Sequence, residues 1–135
     1  MDCIICKLIN GEIPVYKVYE DEKYMAFLDI NPSSPGHTMV VPKKHIPTLF
    51  VMTEEEMGEI FERVKKISLH IKDSALQPVG FNIGINHLRA AGQEIDHLHI
   101  HIIPRWPDDN GGAVQTIVKN KEKMSLEEIL EKIKM

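Results

Sequence analysis

From His97 to Ile103 the chain reads His-Leu-His-Ile-His-Ile-Ile, a strict alternation of imidazole and apolar side chains. A period of two belongs to an extended strand, where successive side chains point to opposite faces. His97, His99 and His101 then share one face, Leu98, Ile100 and Ile102 share the other, and Pro104 closes the run. Such a strand needs a sheet with a covered apolar face, and it concentrates three of the chain's seven histidines within five residues. Three readings compete for the imidazole face. A solvated polar face is the plainest, although Thr, Lys or Glu fills such faces more readily. Neutral imidazole is also the commonest metal ligand. Its pKa near neutrality equally suits nucleophilic or acid/base catalysis.

The rest of the chain supplies that sheet. Cys3 to Asn10 predicts a short helix ended by Gly11 and Pro14. The run "VYKVYEDEKYMAFLDI" holds two stretches rich in Val, Tyr and Phe around a charged turn from Glu20 to Lys23, the pattern of a hairpin. "INPSSPGH" is a turn-rich loop, and "TMVVP" is a further strand stopped by Pro42. Thr53 and Glu56 form a capping-box spacing ahead of Met57, Ile60, Val64, Ile67 and Ile71, whose three- and four-residue steps predict one long helix packed on the sheet. "GFNIGIN" follows as a strand, "HLRAAGQEI" as a loop, then the histidine strand. "DDNGGAVQT" reads as a loop or weak extended segment, and Ser125 with Glu128 caps a short C-terminal helix. The fold class is α+β, a mostly antiparallel sheet with one long helix and short terminal helices.

At 135 residues the chain is expected to form a single domain over 1–135. No apolar run approaches a membrane span and "MDCIICKLINGE" has no signal-type pattern, so a cytoplasmic location with no membrane attachment is expected. The net charge of −4 argues against stable nucleic-acid binding and leaves room for a local phosphate site. Both cysteines lie in one CxxC, Cys3 and Cys6, a spacing shared by half zinc sites, redox motifs and plain core pairs.

Three stretches agree with one known pattern. His97 to Ile103 matches His-φ-His-φ-His-φ-φ, with φ apolar, and "FLDINPSSPGHTMVVPKKH" and "NHLRAAGQEIDHLHIHIIPR" stand in the same order as signatures of the histidine triad family of nucleotide hydrolases and transferases. With "CIICKLINGEIP" the resemblance runs from about Cys3 to Arg105, and the tail beyond it is the least explained. The resemblance implies a HIT-like fold, a homodimer, and cleavage at the α-phosphate of an adenosine nucleotide derivative. It implies that His99 is the nucleophile that becomes a nucleotidyl-histidine, that His101 lies near the phosphate and leaving group, and that His37 is an accessory histidine beside them. Asn86 and Gly92 match phosphate-side positions, Gln93 a further nucleotide-binding position, Asp29 the carboxylate that takes the ribose hydroxyls, and Ile5, Leu8, Phe27 and Ile30 the walls of the base pocket. Glu94 falls where some relatives carry Ser or Thr, and a carboxylate there repels phosphate.

Relatives that begin with CxxC often hold a structural zinc, and the matching ligands here are Cys3, Cys6, His45 and His97. Two thiolates and two imidazoles close a tetrahedral shell with no open position. Phosphoramidates, nucleotidyl-lysine adducts and dinucleoside polyphosphates all fit as substrates, with water or phosphate as second nucleophile. The rival classes are a nucleotide- and zinc-binding interaction module without turnover and a metalloprotein using the three strand histidines together. Asp29 has a plain alternative as a turn carboxylate, Lys43 and Lys44 as a solvated pair instead of a phosphate clamp, and His70 and His87 are read as surface residues.

Overall fold

The computed structural model describes residues 2–119 and 123–135. Helix α1 (Ile4–Ile9) starts at Cys3, whose sulfur accepts from the Cys6 N–H, and it gives way to Gly11 at φ 75°, a left-handed turn that glycine adopts without strain. Strands β1 (Lys17–Glu20) and β2 (Tyr24–Leu28) form the expected hairpin. Its turn is fixed by Asp21, whose Oδ1 accepts from the N–H groups of Lys23 and Tyr24 at 2.8 Å each. After β3 (Thr38–Pro42), helix α2 (Glu54–Lys72) opens with both halves of the Thr53–Glu56 capping box. Strands β4 (Gly80–Gly84) and β5 (Ile100–Arg105) complete an antiparallel sheet of order β1-β2-β3-β5-β4, and helix α3 (Leu126–Ile133) follows the Ser125–Glu128 capping box.

Register decides which side chains meet. Ile100 lies opposite Val40, which lies opposite Ala26, and these residues pack with Ile60, Val64, Ile67 and Ile71 of α2 into one core. Completely burying a Val or Ile side chain is worth about 1.5–3 kcal/mol, so this stripe holds α2 on the sheet. On the other face His101 lies opposite Met39, and Met39 opposite Phe27. There Phe27, Met25 and Val41 pack with Cys3 and Ile5 of α1. The sheet is thus covered on both faces, α2 on one and α1 on the other. No helix among the described residues is long and apolar enough to cross a membrane.

One stretch differs from expectation. The histidine run enters the sheet only at Ile100, so His97 and His99 precede the ladder. The cause lies in partners far along the chain: Pro42 has no N–H to give, its carbonyl is taken by the His97 ring at 2.7 Å, and the Leu98 N–H bonds Ile46 O at 2.7 Å. The side-chain alternation nevertheless persists, since Leu98 joins Ile100 and Ile102 in the α2 core. Residues 108–119 form a loop with one 3-10 turn, Val114–Thr116, the first of the two readings its sequence allowed. Asp109 organises its start by pairing with the Arg105 guanidinium at 2.7 and 2.9 Å and accepting from the N–H groups of Trp106 and Gly111.

Candidate active site

The α1 face of the sheet carries a cleft lined by Ile5, Leu8, Phe27, Asp29, Ile30, Asn86, Gly92, His99 and His101. The sequence-expected nucleotide residues thus converge there, with one exception. Gln93 is buried elsewhere: its Nε2 donates to Pro47 O and Ile95 O, and its Oε1 accepts from the Leu88 N–H. Every polar atom of that side chain is committed to backbone, so it pins the loop ahead of the histidines. Sequence reasoning missed Ile13, Pro14, Val15 and Tyr16, which also line the cleft, and Met39. For Met39 a signal existed, since it alternates with the core residue Val40 on β3.

The three histidines do not form one cluster. His97 is fully buried and turns its Nδ1 toward Cys3 Sγ at 3.4 Å and Cys6 Sγ at 3.5 Å. His99 is 8% exposed, which excludes a solvated polar face. Its Nδ1 is 2.7 Å from His97 O. A carbonyl only accepts, so Nδ1 carries the proton and Nε2 keeps a free lone pair.

The same reasoning fixes His101. The Ser33 N–H donates to His37 Nδ1 at 3.0 Å, so the His37 proton sits on Nε2. That Nε2 lies 2.9 Å from His101 Nδ1 and donates to it, which leaves the proton of a neutral His101 on Nε2 as its free donor. The His99 and His101 ring centroids are 5.1 Å apart. Burial lowers the pKa of His37, against the pull of Asp29, whose Oδ2 lies 3.8 Å from His37 Nε2. Burial, reinforced by His99 and His37, depresses His101 to about 4. Both rings are neutral at pH 7.

Asp29 combines two roles. Its Oδ1 accepts from the Asn31 N–H at 2.8 Å, a turn contact, while the carboxylate also lines the cleft. Lys43 pairs with Glu20 at 2.8 Å and Lys44 with Glu56 at 3.4 Å, so neither lysine reaches the cleft. His70 is exposed as expected. His87 is not simply a surface residue: it is half-buried, its ring centroid 4.1 Å from that of Phe50 and both ring nitrogens inaccessible.

Beside the cleft, Cys3, Cys6, His45 and His97 hold their four donor atoms within 4.8 Å of one another. Cys6 Sγ is 3.4 Å from His45 Nδ1. Tetrahedral zinc with bonds of about 2.3 Å to sulfur and 2.0 Å to nitrogen places those atoms about 3.5 Å apart, so the spacing suits the ion. The His97 Nε2–H donates to Pro42 O, which leaves Nδ1 as the ligating nitrogen. Burial pushes the Cys6 thiol up, so a cation is what would keep it ionised.

A family model described as HIT domain matches residues 10–108. The chain belongs to the histidine triad family. An uncharacterized HIT-like protein of Methanocaldococcus jannaschii is 47% identical over 132 residues, covering 98% of each chain. An adenosine 5'-monophosphoramidase of Schizosaccharomyces pombe is 39% identical over 84% of this chain and 82% of its own. Among solved structures, a HIT family protein from Bacillus subtilis superposes with a TM-score of 0.83 at 40% identity, covering 97% of this chain and 92% of that one. A zinc-bound histidine triad protein from Mycobacterium smegmatis gives 0.78 at 35% identity over 82% and 79%. The HIT fold of this chain is therefore secure from both sequence and architecture.

Proposed function

We propose that this chain is a nucleotide hydrolase acting at the α-phosphate of an adenosine nucleotide derivative, with His99 as nucleophile. The observation that carries the reading is the 2.7 Å hydrogen bond from His99 Nδ1–H to His97 O, because it leaves Nε2 unprotonated. The Nε2 lone pair attacks phosphorus, the bond to the leaving group breaks, and that group departs with the bonding pair and takes up a proton. Water then attacks the nucleotidyl-histidine, releasing the nucleotide and restoring the ring. His101 Nε2–H donates to a phosphate oxygen as charge develops, and the His37 contact holds it in the donating tautomer. The kinship to a monophosphoramidase supports this reaction class.

The lining of the cleft favours one substrate class. It holds two carboxylates, Asp29 and Glu94, and among the described residues no lysine or arginine. A polyphosphate chain carries several negative charges and finds no cation there, whereas a phosphoramidate presents one phosphate and a neutral or cationic amine. In this reading Asp29 takes the ribose hydroxyls, and Ile5, Leu8, Phe27 and Ile30 enclose the base. Asn86 and Gly92 lie by the phosphate.

Cys3, Cys6, His45 and His97 hold a structural zinc, supported by their donor spacing and by the zinc-bound relative. Two reduced thiols suit a cytoplasmic setting. A second copy covers the apolar groove of Phe61, Leu69, Phe81 and Ile83, which opens beside the edge strand β4 and makes the protein a homodimer.

The test is turnover of adenosine 5'-phosphoramidate and diadenosine tetraphosphate with product identification, alongside His99→Ala. Faster cleavage of the phosphoramidate and loss of several orders of magnitude in the variant are expected. Near-normal turnover in His99→Ala refutes the nucleophile.

A further inference from the structure

The acceptor that fixes the His99 tautomer belongs to His97, a ligand of the four-donor cluster. Two observations make this more than adjacency. First, the His97–Leu98 peptide is pinned on both sides: its carbonyl accepts from His99 Nδ1 at 2.7 Å and its N–H donates to Ile46 O at 2.7 Å. Ile46 follows His45, a second ligand of the cluster. Second, this peptide lies ahead of the sheet, whose β5 ladder starts at Ile100. The strand hydrogen bonds that would otherwise orient it are absent, because Pro42 O is taken by His97 Nε2 at 2.7 Å. His45 and His97 therefore act as two posts of a backbone bridge, with the acceptor for the nucleophile on its central peptide.

We infer that His97 is a positioning residue that couples the Cys3–Cys6–His45–His97 cluster to the nucleophile, so that metal loading sets the His99 tautomer and thereby the rate. With the cluster closed, the ring and the carbonyl of His97 are held together and His99 keeps its proton on Nδ1. With the cluster open, the two posts separate and the peptide plane turns, and His99 samples the tautomer whose Nε2 is protonated and cannot attack. Outer partners that orient a functional histidine are commonly worth 10- to 100-fold in activity. A drop of about that size on metal loss is expected here. By reciprocity of binding free energies, a ligand that requires the Nε2 lone pair tightens the metal by the factor by which the metal tightens that ligand.

The inference rests on the proposed role of His99, but its test does not. Protein labelled with nitrogen-15 in histidine is compared zinc-loaded and chelator-stripped, with metal content measured on both samples. The His99 ring resonances should report a single Nδ1–H tautomer when loaded and a mixture when stripped, and zinc should reverse the change. Unchanged His99 resonances in protein shown to have lost its metal overturn the coupling, whatever happens to the rate. If stripping melts the fold, Cys6→Ser carries the same comparison, since it removes one thiolate and keeps three donors. An unchanged His99 spectrum in metal-free Cys6→Ser likewise overturns it. If the tautomer follows the metal while His99→Ala keeps its turnover, the coupling stands and the nucleophile assignment falls.

Discussion

Acidification should destabilise this fold through His101 in particular. Burial, with the neighbouring His99 and His37 rings, depresses its pKa from 6.5 to about 4, and Asp29 opposes the shift only weakly. The unfolded chain therefore binds a proton at this site before the folded chain does. The stability tied to neutral His101 is complete above pH 6.5 and is lost progressively as pH falls toward 4. Each pKa unit corresponds to about 1.4 kcal/mol, so the whole gap is worth ~3 kcal/mol, a large part of the 5–15 kcal/mol typical of a domain. Urea unfolding of wild type and His101→Gln at pH 7, 6, 5 and 4.5 isolates it, because protonation of the cysteine–histidine cluster and of His37 acts on both proteins. The wild type should lose about 2–3 kcal/mol more than the variant across that range. Parallel stability profiles for the two proteins would refute the neutral, buried state of His101, and with it the donor role assigned to Nε2–H.

Three further outcomes follow from the cleft and its supporting loop. Asp29→Ala should weaken nucleotide binding by about 10- to 100-fold, the worth of 1.5–3 kcal/mol for hydrogen bonds to a charged group, with little loss for a 2',3'-dideoxy analogue; calorimetric titration with both ligands separates this from loosening of the Asn31 turn. Gly36→Ala should destabilise by about 2 kcal/mol in urea unfolding, because φ is +86° and an added Cβ would lie 2.9 Å from Leu76 Cδ1 and 3.3 Å from Pro104 Cγ. Glu94→Gln should raise kcat/KM for diadenosine tetraphosphate by about tenfold at low salt while leaving adenosine 5'-phosphoramidate nearly unchanged, and an equal effect on both substrates would remove Glu94 from leaving-group selection.

Much of the scaffold is legible in the chain because its signals are local. The Thr53–Glu56 box starts α2, its three- and four-residue stripe faces the sheet, and the alternation from His97 onward puts Leu98, Ile100 and Ile102 in the same core. The family motifs bring the expected cleft residues together, since those motifs surround the sheet face that Met39 and His101 share. What escapes is decided by distant partners. Nothing near Gln93 says that Pro47 O and Ile95 O will claim its amide, and nothing near His87 says that Phe50 will cover its ring. The late start of β5 depends on Pro42 and Ile46, some fifty residues upstream, and the ion pairs that withdraw Lys43 and Lys44 depend on Glu20 and Glu56.

The hardest point to read from sequence is why three identical side chains in one run meet three different sets of partners. Spacing puts them on one face, yet each ring has two nitrogens and its chemistry follows from the partner of one of them. His97 gives Nε2–H to Pro42 O, so Nδ1 is left for the thiol cluster. His99 gives Nδ1–H to a main-chain carbonyl, so Nε2 is left with its lone pair free. His101 receives at Nδ1 from His37, so Nε2–H is left as a donor. Exchanging any two of these partners would change which nitrogen of each ring is left free, and whether it donates or accepts, without altering a single histidine. The acceptors Pro42 and His97 and the donor His37 therefore carry as much of the chemical specification as the triad, and two of those three roles fall outside the alternating run. A count of histidines finds the site, but only their hydrogen-bond partners assign the work within it.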